Sequence, residues 1–370
     1  MAIRLDELAA LRAAVRDLLA ARCDEAQVRR VMAEAEGFDR DLWAELAGIG
    51  VTGMLIGDED CGTGLGPVEV ETVAEETGAA LLPAPFLGSA VLATALIQAA
   101  GTVEDRRRLL PGLAAGTSIA TVALTGPRGS WTPAGVAVRA AQDDTLTGRA
   151  DFVLFGQAAD VILVVAQTAD GIGIFEMDSG ARGFERTAAS VFDPTVRLST
   201  FVFDAAPARR LGTEGWGAVQ TALDLALVAL AGEQVGGTRR IFDTTVEYLK
   251  TRIQFGRQIG SFQALKHAAA DLLTGVESAT SAARNAATTL QSARADGAVD
   301  IAVCGAVDLA GFVCAETFEA AAMQAIQLHG GIGFTWEHPA HLYARRARSA
   351  QQLFGGSRLH RERYLESKGA

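Results

Sequence analysis

Apolar and polar residues alternate along this chain with a period that changes twice. Up to about residue 118 the spacing is helical. MAIRLDELAALRAAVRDLLA reads as an amphipathic N-terminal helix, and Asp41–Gly50 as a short helix stopped by glycine. A turn-rich loop, Gly57–Gly66, precedes a Val- and Glu-rich helix from Val68. Leu87–Ala100 and Glu104–Ala114 add two more, the latter bearing a stripe of Arg106, Arg107 and Arg108. From Ser118 the pattern shortens to Val- and Ile-rich runs over 119–124, 136–141, 152–155, 161–166 and 173–177, with 201–203 and 208–211 closing the set. Gly, Asp, Thr and Pro separate these runs, as they do in a small β domain. Helical spacing returns at Trp216 and predicts helices over 215–251, 261–295 and 298–329, with Ser261 capping the second. The expected fold is α+β multidomain: an N-terminal all-α domain over 1–118, a middle β domain (small barrel or sandwich) over 119–212, and a C-terminal four-helix-bundle domain over 213–370.

Composition narrows the function. Hydrophobic residues make up 49% of the 370, which excludes a disordered chain. Lys plus Arg number 33 against 44 Asp plus Glu, a net charge of −11, so no nucleic-acid surface is expected and small ligands must be met through local basic pockets. Cys23, Cys61, Cys304 and Cys314 show no CxxC and no His at metal-ligand spacing, so they read as reduced thiols and no metal is expected. His329, His338 and His341 likewise lack metal spacing. The N-terminus lacks a signal peptide's apolar run, and no window of about 18 uncharged apolar residues predicts a membrane span. The expected compartment is the cytoplasm.

The densest candidate chemistry lies in Glu247–Asp271, EYLKTRIQFGRQIGSFQALKHAAAD. Arg252, Arg257 and Lys266 crowd a corner around Phe255-Gly256 in an otherwise acidic protein. Cations beside glycine and exposed backbone N–H groups suit a phosphate or pyrophosphate. On spacing alone, an ordinary αα-hairpin with solvated arginines is the preferred reading. A second carboxylate-bearing stretch lies upstream. Leu223, Ala226, Leu227 and Leu230 form an apolar helical stripe that Glu233 continues, among Gly232, Gly236 and Gly237. A Glu on an apolar face is costly unless it is paired or functional. Pairing with Arg239, Arg240 or another helix and service as a catalytic base are both open, and Asp224 is the weaker rival.

TRIQFGRQIGSFQALKH resembles the C-terminal signature of the acyl-CoA dehydrogenases, flavoproteins that desaturate acyl-CoA thioesters, and QLHGGIGFTWEHPAHLYARR (Gln327–Arg346) resembles that family's other C-terminal signature. The resemblance implies the helical, β, helical order over nearly the whole chain, FAD as cofactor, an acyl-CoA substrate, electron-transfer flavoprotein as acceptor, and a dimer or tetramer. The family's catalytic Glu sits just beyond GGxGF or early in the first C-terminal helix. Gly355 matches the first seat, and Ala226 and Leu227 match the second, so both are empty. That leaves Glu233 as the candidate base.

The resemblance also divides the cofactor residues. Toward the flavin ring, Thr125, Gly126 and Ser130 stand in a departed version of the family's turn, with Trp131 where a small acidic residue is usual. In the next strand, Phe152-Val153-Leu154 supplies a ring but no hydroxyl. The adenine and pyrophosphate half, which the family reaches across a subunit interface, keeps its residues: Arg252, Phe255, Gly256, Gln263, Gly330, Gly331 and Gly333. This asymmetry implies a homo- or hetero-oligomer in which this chain is one subunit. A steroid-like bulky acyl group fits weakly, through the small residues at 226 and 355. A non-catalytic partner of an active paralogue, and a flavin oxidase or a dehydrogenase of carrier-protein thioesters, are the alternatives. The Arg345, Arg346 and Arg348 cluster and the tail from His360 read as solvated helix faces.

Overall fold

The computed structural model describes residues 4–213, 215–296 and 301–369. Residues 1–3 of the predicted N-terminal helix and 298–300 of the predicted 298–329 helix lie outside these. Helices α1 (Leu5–Arg22), α2 (Glu25–Val31), α3 (Arg40–Gly48), α4 (Pro67–Ala79), α5 (Thr94–Ala100) and α6 (Val103–Ala114) come first. Their ends follow local chemistry. The Asp41 and Leu42 N–H groups donate to Asp39 at the start of α3, and Thr102 with Asp105 closes a capping box on α6. The apolar run 87–100 is not one α-helix. Phe86–Ala93 winds as a π-helix ahead of α5, a departure that no apolar period can signal.

Strands β1 (Ala120–Ala123), β2 (Arg139–Ala140), β3 (Thr145–Leu154), β4 (Val161–Thr168), β5 (Gly171–Asp178), β6 (Phe184–Ala188), β7 (Leu198–Pro207) and β8 (Arg209–Arg210) form one sheet. Its order is β6-β7-β3-β2-β4-β5-β8, with β1 pairing parallel to β4. Leu146, Val153, Ile162, Val164, Phe175, Phe201 and Phe203 fill its buried side. Strand β6 escapes the sequence reading because FERTA alternates too weakly to stand out.

Helix α7 (Trp216–Thr251) then runs 36 residues. It is long and apolar enough to span a membrane, yet 83% of its most apolar window is buried, as in a core helix. A short hairpin, β9 (Ile253–Gln254) with β10 (Arg257–Gln258), precedes α8 (Gln263–Asp296), α9 (Ile301–His329), α10 (Ala340–Ala350) and α11 (Gly356–Ser367). Helix α9 packs on α8, α10 and α11. Ser261 does not cap α8. It lies in a 3-10 turn, Ile259–Ser261, where its hydroxyl donates to the Gln258 carbonyl, and α8 begins two residues later.

The chain forms two compact units. One comprises Met1–Leu8, Arg29–Val70 and Pro83–Ala226, and the other Ala9–Val28, Glu71–Leu82 and Leu227–Ala370. Within the second, α4 and α7 approach backbone to backbone. A Cβ at Gly78 would overlap the Glu233 carbonyl, and one at Gly236 would overlap that of Glu75. Glycine is what permits this spacing.

Candidate functional site

The corner after α7 is a β-hairpin. Phe255 and Gly256, both at positive φ (+53° and +74°), make its two-residue turn. Two successive positive φ values match the right-handed twist of the flanking strands, which is why a sequence read for helices misses it. The turn throws the Phe255 ring outward, 90% exposed, and Arg257 lies over the Phe262 ring at 3.9 Å. Arg252 is exposed and, among the described residues, makes no ion pair.

At the far end of α9, Gly330–Phe334 forms a 3-10 turn. Its glycines differ in what they serve. Gly330 needs its positive φ of +64°, and Gly333 needs its lack of a Cβ, which would lie 2.9 Å from His329 Cβ and from the Ile326 carbonyl. Gly331 needs neither, because a Cβ there would meet nothing within 4 Å. Among the described residues no packing calls for glycine at 331, and its backbone is exposed. Arg252, Gln254, Gln324, Gln327, Gly330 and Gly331 line one cleft of about 490 Å³ with Tyr248 and His329. Helix end and hairpin thus bring together a guanidinium, three amides and bare backbone. Such a set matches a phosphate-bearing nucleotide: charge-assisted donors for the anion and amides for a base edge. Phe255, Gly256 and Gln263 do not line this cleft. They lie exposed on the hairpin and on the start of α8, where Gln263 Nε2 sits 2.9 Å from His267 Nε2. Phe334 (86%) and Trp336 are also exposed.

In the other unit, the residues proposed for a flavin ring contact their own neighbours in the chain's β domain. Thr125 is buried and donates its hydroxyl to the Asp151 carbonyl at 2.8 Å, while the Asp151 N–H donates to the Thr125 carbonyl. The Ser130 and Thr132 hydroxyls pair at 3.0 Å. Trp131 is buried. Phe152, at φ +60°, lays its ring against the bare face of Gly129.

Glu233 is 9% exposed and stands against Arg346 of α10, itself 2% exposed. Arg346 Nη1 donates to Glu233 Oε1 at 2.7 Å, and Nη2 reaches the Leu81 and Leu82 carbonyls at 3.4 and 3.3 Å. Arg346 is therefore no solvated residue, because the apolar face of α10 carries it inward. His360 is not solvated either: 1% exposed, its Nδ1 lies 2.8 Å from Asp308, whose other oxygen is 3.2 Å from Arg363 Nε. Asp224 is buried and accepts from Gln220 at 2.7 Å. Ala226, Leu227 and Gly355 offer no proton acceptor at either seat named above.

A second acidic group escaped the sequence reading. Glu71 and Glu75, one turn apart on α4, are both buried. Burial, then the Glu75 charge, pushes the Glu71 carboxyl well up from the usual range, with Arg284 and Arg12 opposing. Arg12 pairs with Glu75, and Arg16 holds Glu76 at 2.7 Å. No group of three metal-ligating side chains occurs among the described residues.

Known proteins share both the sequence and the fold. Residues 213–368 match the sequence profile described as acyl-CoA dehydrogenase, C-terminal domain, and residues 6–117 match that of the N-terminal domain. Acyl-CoA dehydrogenase IpdE2 of Mycolicibacterium smegmatis is 32% identical over 354 residues, 95% of this chain and 96% of that one. Among solved structures, the ChsE4-ChsE5 complex from Mycobacterium tuberculosis is 28% identical with a TM-score of 0.87, covering 99% of this chain and 98% of its own. A variant of the Tcur3481-Tcur3483 steroid ACAD is 29% identical at the same TM-score, covering 98% of each chain.

Proposed function

The chain belongs to the acyl-CoA dehydrogenase family, and from that premise we propose that it acts in FAD-dependent α,β-dehydrogenation of an acyl-CoA as one subunit of a hetero-oligomer, contributing the adenine and pyrophosphate half of the cofactor site. The observation that carries this reading is the contrast between two regions. Around the C-terminal cleft, Arg252 is unpaired among the described residues and Gly331 is bare for no internal reason. Around Thr125, Ser130 and Phe152, the Thr125 hydroxyl is buried and bonded to the Asp151 carbonyl, and the Ser130 hydroxyl is paired with that of Thr132. The residues fit FAD at its nucleotide end. Arg252 would meet phosphate, Gln327 or Gln324 a base edge, and Gly330 and Gly331 would allow close backbone approach. Phe255, Gly256 and Gln263 would extend that surface on the hairpin and the start of α8. When bound, the flavin accepts the β-hydride of the thioester. Removing the α-proton needs a carboxylate within hydrogen-bond reach of it.

Glu233 is the base candidate of this chain by elimination, and its pairing with Arg346 argues for an anchor instead. An ion-paired carboxylate is a weak acceptor, and moving it would strand a buried cation. In this reading the base and the flavin-ring contacts come from a paralogous subunit, as the two-protein naming of the ChsE4-ChsE5 complex suggests by analogy. A steroid-type acyl-CoA is the substrate class that the steroid ACAD similarity supports. Electron-transfer flavoprotein as acceptor, a cytoplasmic location and the domain division at 1–118, 119–212 and 213–370 belong to the same proposal.

The test is to purify the chain alone. A colourless protein without acyl-CoA turnover is expected. Stoichiometric FAD together with turnover by the lone chain would end the hetero-oligomer reading.

A further inference from the structure

Beneath the Gly330–Phe334 turn lies a stack of three rings that the nucleotide reading leaves unused. His329, 3% exposed, lies between Tyr248, at 4.5 Å between ring centroids, and His338, at 4.1 Å. Their hydrogen bonds fix which nitrogens carry protons. His329 Nδ1 is 2.8 Å from the Ala325 carbonyl, which can only accept, so Nδ1 carries the proton and Nε2 holds a lone pair. That Nε2 is buried without a partner. His338 Nδ1 accepts the Ala340 N–H at 3.2 Å, the first amide of α10, so its lone pair must stay free of a proton. The Tyr248 hydroxyl donates to the His329 carbonyl at 3.2 Å, tying α7 to the residue just before Gly330.

We propose that His329 and His338 are positioning residues for the Gly330–Gly333 turn, holding it in its nucleotide-facing form only while both rings are neutral. The rest follows from the geometry. A proton on His338 Nδ1 ejects the Ala340 N–H and puts a cation at the positive end of α10. A proton on His329 Nε2 buries a charge that no carboxylate in contact offsets. Two rings 4.1 Å apart cannot both be charged at low cost. The surrounding groups agree. Tyr248 comes from α7, Arg252 from the residue just after it, and His341 and Arg345 from α10, while α8 presents the apolar Leu265 and Ala268 to the cleft. Only Glu25 attracts a proton to His338, against His329 and His341. Burial lowers both histidines from their usual value, and for His338 the neighbouring rings add to it.

The sign is fixed by linkage. Rings with lowered affinity for protons in the closed form take them up on opening, so the closed form loses ground as pH falls below about 6.5. Between about pH 7.5 and pH 5.5, an ordinary opened ring favours opening by up to about tenfold each. This rests on the nucleotide reading for its consequence only, because the switch itself belongs to the chain alone.

Two readouts separate them. In hydrogen exchange on the full chain, corrected for intrinsic rate, amides of 329–340 should lose protection by about tenfold or more on that acidification. The response should shrink by up to about tenfold in H338F and be abolished in H329F/H338F, which keep a ring stack without titration. Equal protection at both pH values, or an unchanged response in the double variant, overturns the proposal. If the double variant does not fold, H338F alone decides, since an undiminished response there overturns it equally. In the assembled holoenzyme, FAD retention through rapid gel filtration should fall with pH in parallel. A pH-dependent turn with pH-independent FAD retention overturns the link to the nucleotide and counts against the nucleotide reading, while leaving the titrating stack in place.

Discussion

Replacing Arg346 by Met removes the cation of the pair that seats Glu233 and keeps most of the side chain's volume. The pair is short, 2.7 Å, and both partners are nearly sealed from water. Removing one partner of a buried pair costs about 3–5 kcal/mol, because the survivor keeps its desolvation cost without its counter-charge. The two carbonyl contacts at 3.3 and 3.4 Å are long and add little. R346M should therefore lose about 4 kcal/mol, and E233Q about 2–3, since an amide still accepts one hydrogen bond. The double variant E233M/R346M puts apolar groups in both places and should regain most of the loss. Urea unfolding followed by circular dichroism reads this as a midpoint shift at constant slope. Losses that add, or an R346M loss under about 1 kcal/mol, would refute the reasoning. Activity of the assembled enzyme supplies the second arm. E233Q of near-normal stability with no turnover would return Glu233 to the role of base.

Further expectations concern groups away from the cleft. Gly236→Ala would drive a methyl into the Glu75 carbonyl and separate α4 from α7, costing about 3 kcal/mol or more in thermal unfolding. Glu71, whose carboxyl is raised chiefly by burial, binds its proton better folded than unfolded, so it erodes stability as pH rises above about 4.5. Glu71→Gln should match the parent near pH 5, exceed it near pH 8 and flatten the stability profile between. Asp308→Ala leaves the buried His360 ring without its hydrogen-bond partner and should cost about 1–3 kcal/mol, read by denaturant titration; a loss below about 0.5 kcal/mol would show the contact to be incidental.

Long periodic elements were legible in the sequence. The three C-terminal helices and most strands appear close to their predicted spans, because apolar period and burial coincide there. The failures are local and physical. The hairpin at 253–258 depends on two positive φ values, one at a phenylalanine, and φ leaves no trace in a hydropathy pattern. The sequence places Arg346 and His360 on solvated faces because their charge suggests exposure, whereas each turns inward to a carboxylate more than fifty residues away in sequence. Pairing across such separations is what a single sequence conceals. A nearer signal existed for the acidic group: Glu71 and Glu75 fall one helical turn apart among Val70, Val73 and Ala74, on the buried face of α4.

Arg252→Met in the assembled enzyme tests the nucleotide clamp most directly. Arg252 is exposed and unpaired among the described residues, so neither folding nor assembly should change. Losing a charge-assisted bond to phosphate should weaken FAD by about ten- to a hundredfold, seen as loss of flavin absorbance on dilution while the oligomer stays intact. Full retention of FAD by an intact Arg252→Met complex would contradict the account.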